Sequence, residues 1–433
     1  MLQSLDWLMR NVLRAKAGEE RAVGLAFLYF FMLLCAYYLL RPVRDAMAIG
    51  AGLQNLRWLF TGTFVSMLVL MPLFGALVSR VRKQLLLPVT YGFFASNLLV
   101  FYLLFRVIPD TFWLAAAFFI WLSVFNYFVV SVFWSFMADV FRDEEAKRLF
   151  GPISAGGGSG AIVGSFITQD IVPALGIDAV VGLAMLLLLG TLPCIRGLAA
   201  WAEARHGHFV LPPEDPESRI GGRVMAGLLL VARSPYLLGI FVIVSIGSIT
   251  GLFMYNELLR LVGDAYPDAA SRTQFFARLD MAVNILAWVF QGIVVSWLIR
   301  AVNLSGALVT IPIVALLTFI ALPVAFVAAM PLLTVLAAGQ VLRRAGEFGI
   351  AKPSREVLFT IVDAETKYKA KNFIDTVMQR GSDWVGIWLH VLLQSLGFGL
   401  LGFATLCGAA MVAAGVISFG LGRSFERRGA GTS

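Results

Sequence analysis

Stretches of roughly 20 apolar residues, the length that carries a helix across a hydrocarbon layer, recur along the whole chain with short polar breaks between them. In the first half they predict spans at 22–46, 56–78, 85–107, 112–138, 150–172 and 178–196. The second half adds 236–257, 274–298, 304–326, 331–358, 373–395 and 398–421. The breaks carry their own signals. Ser79, Arg80, Val81, Arg82 and Lys83 form a basic turn, and Arg142 to Phe150 is a second polar break on the same side. Pro109–Asp110 and the stretch 262–273 read as turns on the opposite side. The first span starts at Ala22, behind Arg10, Arg14, Lys16, Glu19, Glu20 and Arg21. That segment is too long and too mixed in charge for the front of a cleaved signal peptide, so the span reads as retained.

Composition narrows the class. Of 433 residues 59% are hydrophobic and 14% charged, with a mean hydropathy of +0.84; soluble domains carry roughly 25% charged residues. A single core stops growing near ~250–300 residues, so the surplus apolar surface must face lipid. The net charge of +8 invites a nucleic-acid partner, but most of the 34 Lys and Arg fall in segments predicted to be cytoplasmic. That is the positive-inside pattern of a bilayer protein. It places both termini in the cytoplasm, requires an even number of spans, and fits a bacterial inner membrane with no nucleic-acid role. Cys35, Cys194 and Cys407 are isolated in apolar stretches and predict neither disulfide nor metal site. No cofactor is expected. His390 is the one histidine in a predicted span, with His206 and His208 in the linker, so no enzyme constellation is expected either.

The fold class expected is an all-α membrane protein of about twelve transmembrane helices in two six-helix bundles. The first bundle is residues 1–196 and the second 234–433, joined by a cytoplasmic linker, 197–233, with the turn-rich run Leu211 to Ser218 and an amphipathic stretch from Gly222 to Ala232. This is the arrangement of the major facilitator superfamily. A repeat supports it: Asp143-Glu-Glu-Ala-Lys147 follows the fourth span and Asp363-Ala-Glu-Thr-Lys367 the tenth, and each precedes a span with Val-Gly, at Val163–Gly164 and Val385–Gly386.

Charge inside a bilayer costs ~2.5–3.5 kcal/mol on insertion scales and so faces the bundle interior, often a solute pathway. Such residues cluster at Arg41, Arg44 and Asp45; at Arg278 and Asp280; at Arg343, Arg344, Glu347, Lys352, Arg355 and Glu356; and at Asp375, Arg380 and Asp383. Some are spaced to bridge within one helix: Arg41–Asp45, Arg343–Glu347, Lys352–Glu356 and Arg380–Asp383. Arg44 is expected to lack a partner on its own helix face. Two arginines at a central cavity would suit a carboxylate or phosphate, which guanidinium binds in a bidentate fork. The run Ala155-Gly-Gly-Gly-Ser-Gly160 has no P-loop lysine behind it; it reads as a surface for close helix packing. The aromatic cluster around Trp121, Phe125, Tyr127, Phe133 and Trp134 reads mainly as packing or lipid-facing surface.

Three segments resemble the bacterial and plastid ATP:ADP antiporter family, nearest its homologues in free-living bacteria: Tyr38-Leu-Leu-Arg-Pro-Val-Arg-Asp45; Phe133-Trp-Ser-Phe136 followed by Glu144-Glu-Ala-Lys-Arg-Leu-Phe-Gly151; and Lys369-Ala-Lys-Asn-Phe-Ile-Asp375 leading to Arg380. The resemblance implies four charged positions for nucleotide exchange. Arg44 stands at the lysine of span one, Arg380 at the lysine of span eleven and Glu257 at the glutamate of the second half. Asn126 replaces the glutamate of span four, which removes one charge from a matched set. A phosphorylated or carboxylated anion related to ATP is therefore an equal candidate.

The expected function is secondary transport of a small organic anion, with nucleotide exchange as one form. Substrate contacts are expected from Arg44, Arg380, Glu257, Asn126, Arg343 and Arg344. Coupling or gating is expected from Asp45, Asp280, Glu347, Asp375 and Asp383. Proton-coupled symport of another solute, and a transport-inactive membrane partner subunit, are the alternatives.

Overall fold

The computed structural model describes residues 18–80, 83–108, 111–206, 229–362 and 379–430, together with Lys16 and Ile374. Those residues are almost entirely helical. In chain order the helices are α1 (Glu20–Gly50), α2 (Leu56–Arg80), α3 (Lys83–Val107), α4 (Phe112–Val140), α5 (Asp143–Leu175), α6 (Ile177–His206) and α7 (Pro235–Ala265). They continue as α8 (Ala269–Val289), α9 (Val295–Val327), α10 (Leu332–Gly346), α11 (Lys352–Leu358), α12 (Gln379–Ser395) and α13 (Leu400–Ala430). Among the described residues, seven helical stretches are long and apolar enough to cross a membrane. The longest, Ala269–Val327, leaves helical geometry at Val302 and Asn303, at the break expected between 298 and 304. Asn303 has a φ of 59° and a ψ of −179°, a strained backbone conformation that side-chain-bearing residues rarely adopt. Beyond the break, Glu426 of α13 accepts from the Ser305 amide at 3.1 Å and its hydroxyl at 2.9 Å, capping the resumed helix. Large apolar side chains such as Phe93, Leu186, Ile293 and Val416 stand exposed, as lipid-facing residues do. The chain is a multi-pass membrane protein.

Two boundaries differ from the sequence reading. Helix α6 runs about eight turns past Asp178 to His206, ten residues into the stretch assigned to the linker. The extension is rich in Ala, the strongest helix former, and is tied down where Trp201 Nε1 donates to the Gly18 carbonyl at 2.9 Å. The turn expected over 262–273 shrinks to residues 266–268, because Asp268 caps α8 by accepting from the Ser271 amide at 2.8 Å. The Asp363–Lys367 repeat and most of the amphipathic stretch lie outside the described residues.

The chain groups into two compact units that interleave along the sequence. Unit one is Met1–Ala51, Ala76–Asp215 and Asp268–Met281; unit two is Gly52–Gly75, Pro216–Pro267 and Ala282–Ser433. In unit one, α1 packs on α4, α5 and α6. Its seam with α5 explains the glycine run. A Cβ at Gly156 or Gly164 would come within 2.5 Å of the carbonyl oxygen of Phe27 or Cys35, and one at Gly160 closer still to that of Phe31. Thr168 continues the same four-residue register by donating to the Leu39 carbonyl at 3.2 Å. The packing reading of these glycines holds. In unit two, α7 packs on α10, α12 and α13, and α9 on α10 and α13.

Candidate functional site

In unit one the charges at the end of α1 are all paired. Arg41 Nη1 donates to Asp280 Oδ1 at 2.7 Å, and Asp280 is 1% exposed. Arg41 therefore reaches α8 rather than Asp45, four residues on, because a partner on a facing helix lets the guanidinium extend sideways instead of folding back. Arg44 bonds Asp45 through Nε at 2.9 Å and Nη2 at 2.6 Å. The expectation that Arg44 lacks a partner on its own helix is thus corrected. Adjacent residues point about 100° apart, but the three-methylene arm of arginine is long enough to curl round to its neighbour. The Arg44 guanidinium also lies 5.1 Å from the centre of the Phe119 ring of α4. Asn126 is half-buried, seven residues beyond Phe119 and so on the same face, two turns further along α4.

At the other end of α1, Glu19 accepts from Arg148 of α5 at 2.8 and 3.0 Å and from the Lys16 amide at 2.8 Å. Arg205 of α6 approaches it at 3.5 Å. Burial pushes the Glu19 carboxyl upward, but these bonds and the two guanidinium charges outweigh it and hold the group below its ordinary value.

Unit two holds the other candidates in two places. Arg380 and Asp383 pair at 3.5 Å along α12, while Trp384 and Trp388 of the same helix both donate to the Thr61 hydroxyl of α2, at 3.2 and 3.1 Å. Glu257 of α7 is engaged by Arg260 one turn on, with Nε 3.1 Å from each carboxylate oxygen. Asp375 lies outside the described residues.

The second place is a cleft between α7, α9, α10 and α13, open on one side and holding about 50 Å³ of internal space. Arg343, Glu347 and Arg355 supply its charges, and Gly247, Thr250 and Ser418 also line it. The helix here is not regular. Residues Glu347–Ala351 form a π turn between α10 and α11, which follows from Pro353: it lacks an amide hydrogen and crowds the carbonyl four residues back. The wider turn leads Arg355 Nη1 to Glu347 Oε1 at 3.1 Å, so Glu347 bonds Arg355 rather than Arg343. The Arg343 Nε instead donates to Gln340 at 3.1 Å. Its guanidinium occupies space left by Gly251, where a Cβ would fall 2.7 Å from Nη1. Arg344 is buried beside it at 9% exposure. Sequence spacing did not disclose Arg41–Asp280 or Glu347–Arg355, since neither follows the three- or four-residue rule. Among the described residues no group of His, Cys, Asp and Glu is placed to hold a metal.

Comparison with known proteins bears on these features. No protein-family model matches the chain. It is 24% identical over 455 aligned positions to ADP,ATP carrier protein 1 of Chlamydia pneumoniae, covering 88% of this chain and 86% of that one. The likeness covers most of both chains and agrees with the resemblance to the ATP:ADP antiporter family in the sequence. In fold it resembles an auto-inhibited POT-family peptide transporter, with a TM-score of 0.62 at 15% identity over 92% of this chain and 96% of that one. It also resembles the nucleoside transporter NupG, with a TM-score of 0.63 at 12% identity over 94% and 99%. The likeness to these solved structures shows a shared fold over most of the chain.

Proposed function

We propose that the chain is a secondary active transporter of a small organic anion, working by alternating access, with about twelve membrane spans in two six-helix bundles. The bundles are residues 1–196 and 234–433, the linker 197–233 is cytoplasmic, and both termini face the cytoplasm across a bacterial inner membrane. The observation that carries this reading is the presence of guanidinium groups within the helices of each unit: Arg44 in one, Arg343, Arg344 and Arg380 in the other. Guanidinium favours carboxylate and phosphate. Kinship with an ADP,ATP carrier makes nucleotides the first candidates, and Asn126 in place of an acid keeps other organic anions beside them. In this reading Arg44, Arg380, Glu257, Asn126, Arg343 and Arg344 contact solute. Asp45, Asp280, Glu347, Asp375 and Asp383 serve coupling or gating, with Asp45 and Asp383 released from their arginines as solute takes their place.

The test is counterflow in liposomes holding only the purified protein, preloaded in turn with ATP, ADP and simpler organic anions. Saturable exchange of at least one is expected, with Arg44→Ala and Arg380→Ala each reducing it tenfold or more (about 1.4 kcal/mol). Wild-type rates in both variants would remove these residues from the site.

A further inference from the structure

One hydroxyl in unit two carries a whole junction between helices. A threonine side chain has one hydrogen to donate and two lone pairs to accept with. Thr61 donates to the Arg57 carbonyl of its own helix at 2.7 Å, and accepts from the indole N–H groups of Trp384 and Trp388 at 3.2 and 3.1 Å. Its capacity is filled, and two indoles depend on a single oxygen. Aromatic side chains of α2 and α12 alternate around it. Phe64 stacks on Trp384 with ring centres 5.5 Å apart, and Trp58 meets Trp388 edge-on at 5.5 Å. The Arg57 guanidinium lies 5.8 Å from the centre of the Trp388 ring. Arg57, Thr61 and Phe64 share one face of α2 by their spacing, as Trp384 and Trp388 share one face of α12.

This junction is built unlike the α1–α5 seam. There, backbone meets backbone across glycines. Here, rings meet rings around a shared hydroxyl, contacts that part and re-form without unwinding either helix. The junction also joins the two halves of the sequence: residues 52–75, from the first six expected spans, group with unit two. Thr61 lies five residues from the start of α2 and Trp388 seven from the end of α12, about 8–11 Å from those helix ends. Four residues before Trp384, one turn deeper on the same face of α12, stands Arg380.

We infer that Thr61, Trp384 and Trp388 form a latch that closes one end of the transporter over Arg380, and that both indole bonds to Thr61 break before solute passes that end. This rests on the alternating-access reading and deepens it, since in that reading α2 and α12 belong to different bundles. Thr61 is a positioning residue, touching no solute and setting how often the end opens. Valine matches its shape but accepts no hydrogen bond. It leaves two indole N–H groups without a partner in the closed form, whereas water serves them in the open one. Serine keeps the hydroxyl.

Spin labels on Gln54→Cys and Gln394→Cys, both exposed positions, test this in the full-length chain with Cys35, Cys194 and Cys407 replaced by Ala. A dominant short separation and a minor longer one are expected. The ratio of long to short should rise on the order of tenfold in Thr61→Val and stay at the parent level in Thr61→Ser. Identical distributions in Thr61→Val and its parent overturn the latch. In a second arm, Thr61→Cys and Trp388→Cys are joined by a short, reducible bifunctional thiol reagent. Anion counterflow in liposomes should stop on joining and return with reductant; full counterflow in the joined protein also overturns the latch. A shift in Thr61→Val without counterflow of any anion by the wild type would uphold the latch and defeat the transport reading. Counterflow with unshifted distances would do the reverse.

Discussion

Glycine is used in opposite ways in the two units. Along the α1–α5 seam of unit one, Gly156, Gly160 and Gly164 remove side chains so that two backbones meet, and no space is left over. In α7 of unit two, Gly251 makes room for the Arg343 guanidinium, and Gly247 faces open volume. Small residues in a membrane helix therefore do not announce packing by themselves. What decides is the residue opposite: a carbonyl on a neighbouring helix in one unit, a long cationic side chain in the other. The same split separates the ion pairs. Asp280 is sealed against Arg41, whereas the Glu347 side chain retains 35% exposure beside the cleft.

The largest effect expected is at the sealed pair. Asp280→Ala leaves the Arg41 guanidinium without its carboxylate and should cost about 3–5 kcal/mol, read as a lower unfolding midpoint in detergent; Glu347→Gln should cost far less. Equal losses would erase the distinction between sealed and open charges. Next, Gly160→Ala drives a methyl into the Phe31 carbonyl and should destabilise by about 1–3 kcal/mol, as measured by thermal unfolding.

A smaller, pH-dependent effect is expected at Glu19. A carboxyl held below its ordinary value contributes stability above the unfolded value, about 4.3, and loses that contribution as pH falls through the folded value. The stability gap between wild type and Glu19→Gln should therefore be full at neutral pH and close on acidification below about pH 4. A gap that widens with acid would contradict the clamp. Smallest of all, Gly247→Ala should raise stability slightly, by about 0.5–1 kcal/mol, since its methyl enters empty space within a helix. A loss matching that of Gly160→Ala would show the cleft closed.

Much of the fold was legible in the sequence because hydrocarbon imposes a length. Apolar runs, the break before Leu304 and the glycine-rich packing face follow from local pattern alone. The continuation of α6 to His206 was not legible, since polar helix beyond a span is set by Trp201, Arg205 and Glu19 meeting from distant positions. The charges themselves were easy to find, and their partners were not. Arg380–Asp383 obeys the one-turn rule and was readable. Arg41–Asp280 joins residues 239 apart, and Glu347–Arg355 depends on a turn of non-standard width.

That turn has a neighbour. A second π turn, Phe290–Val294, lies between α8 and α9, and the two pack together so closely that a Cβ on Gly349 would come 2.5 Å from the Phe290 Cβ. A π turn stores one residue more than an α turn. Were that extra residue to migrate along the helix, the residues it passes would rotate by about 100°. The spacing of Arg343 and Arg355 is thus a matter of winding number, set by the wide turn between them.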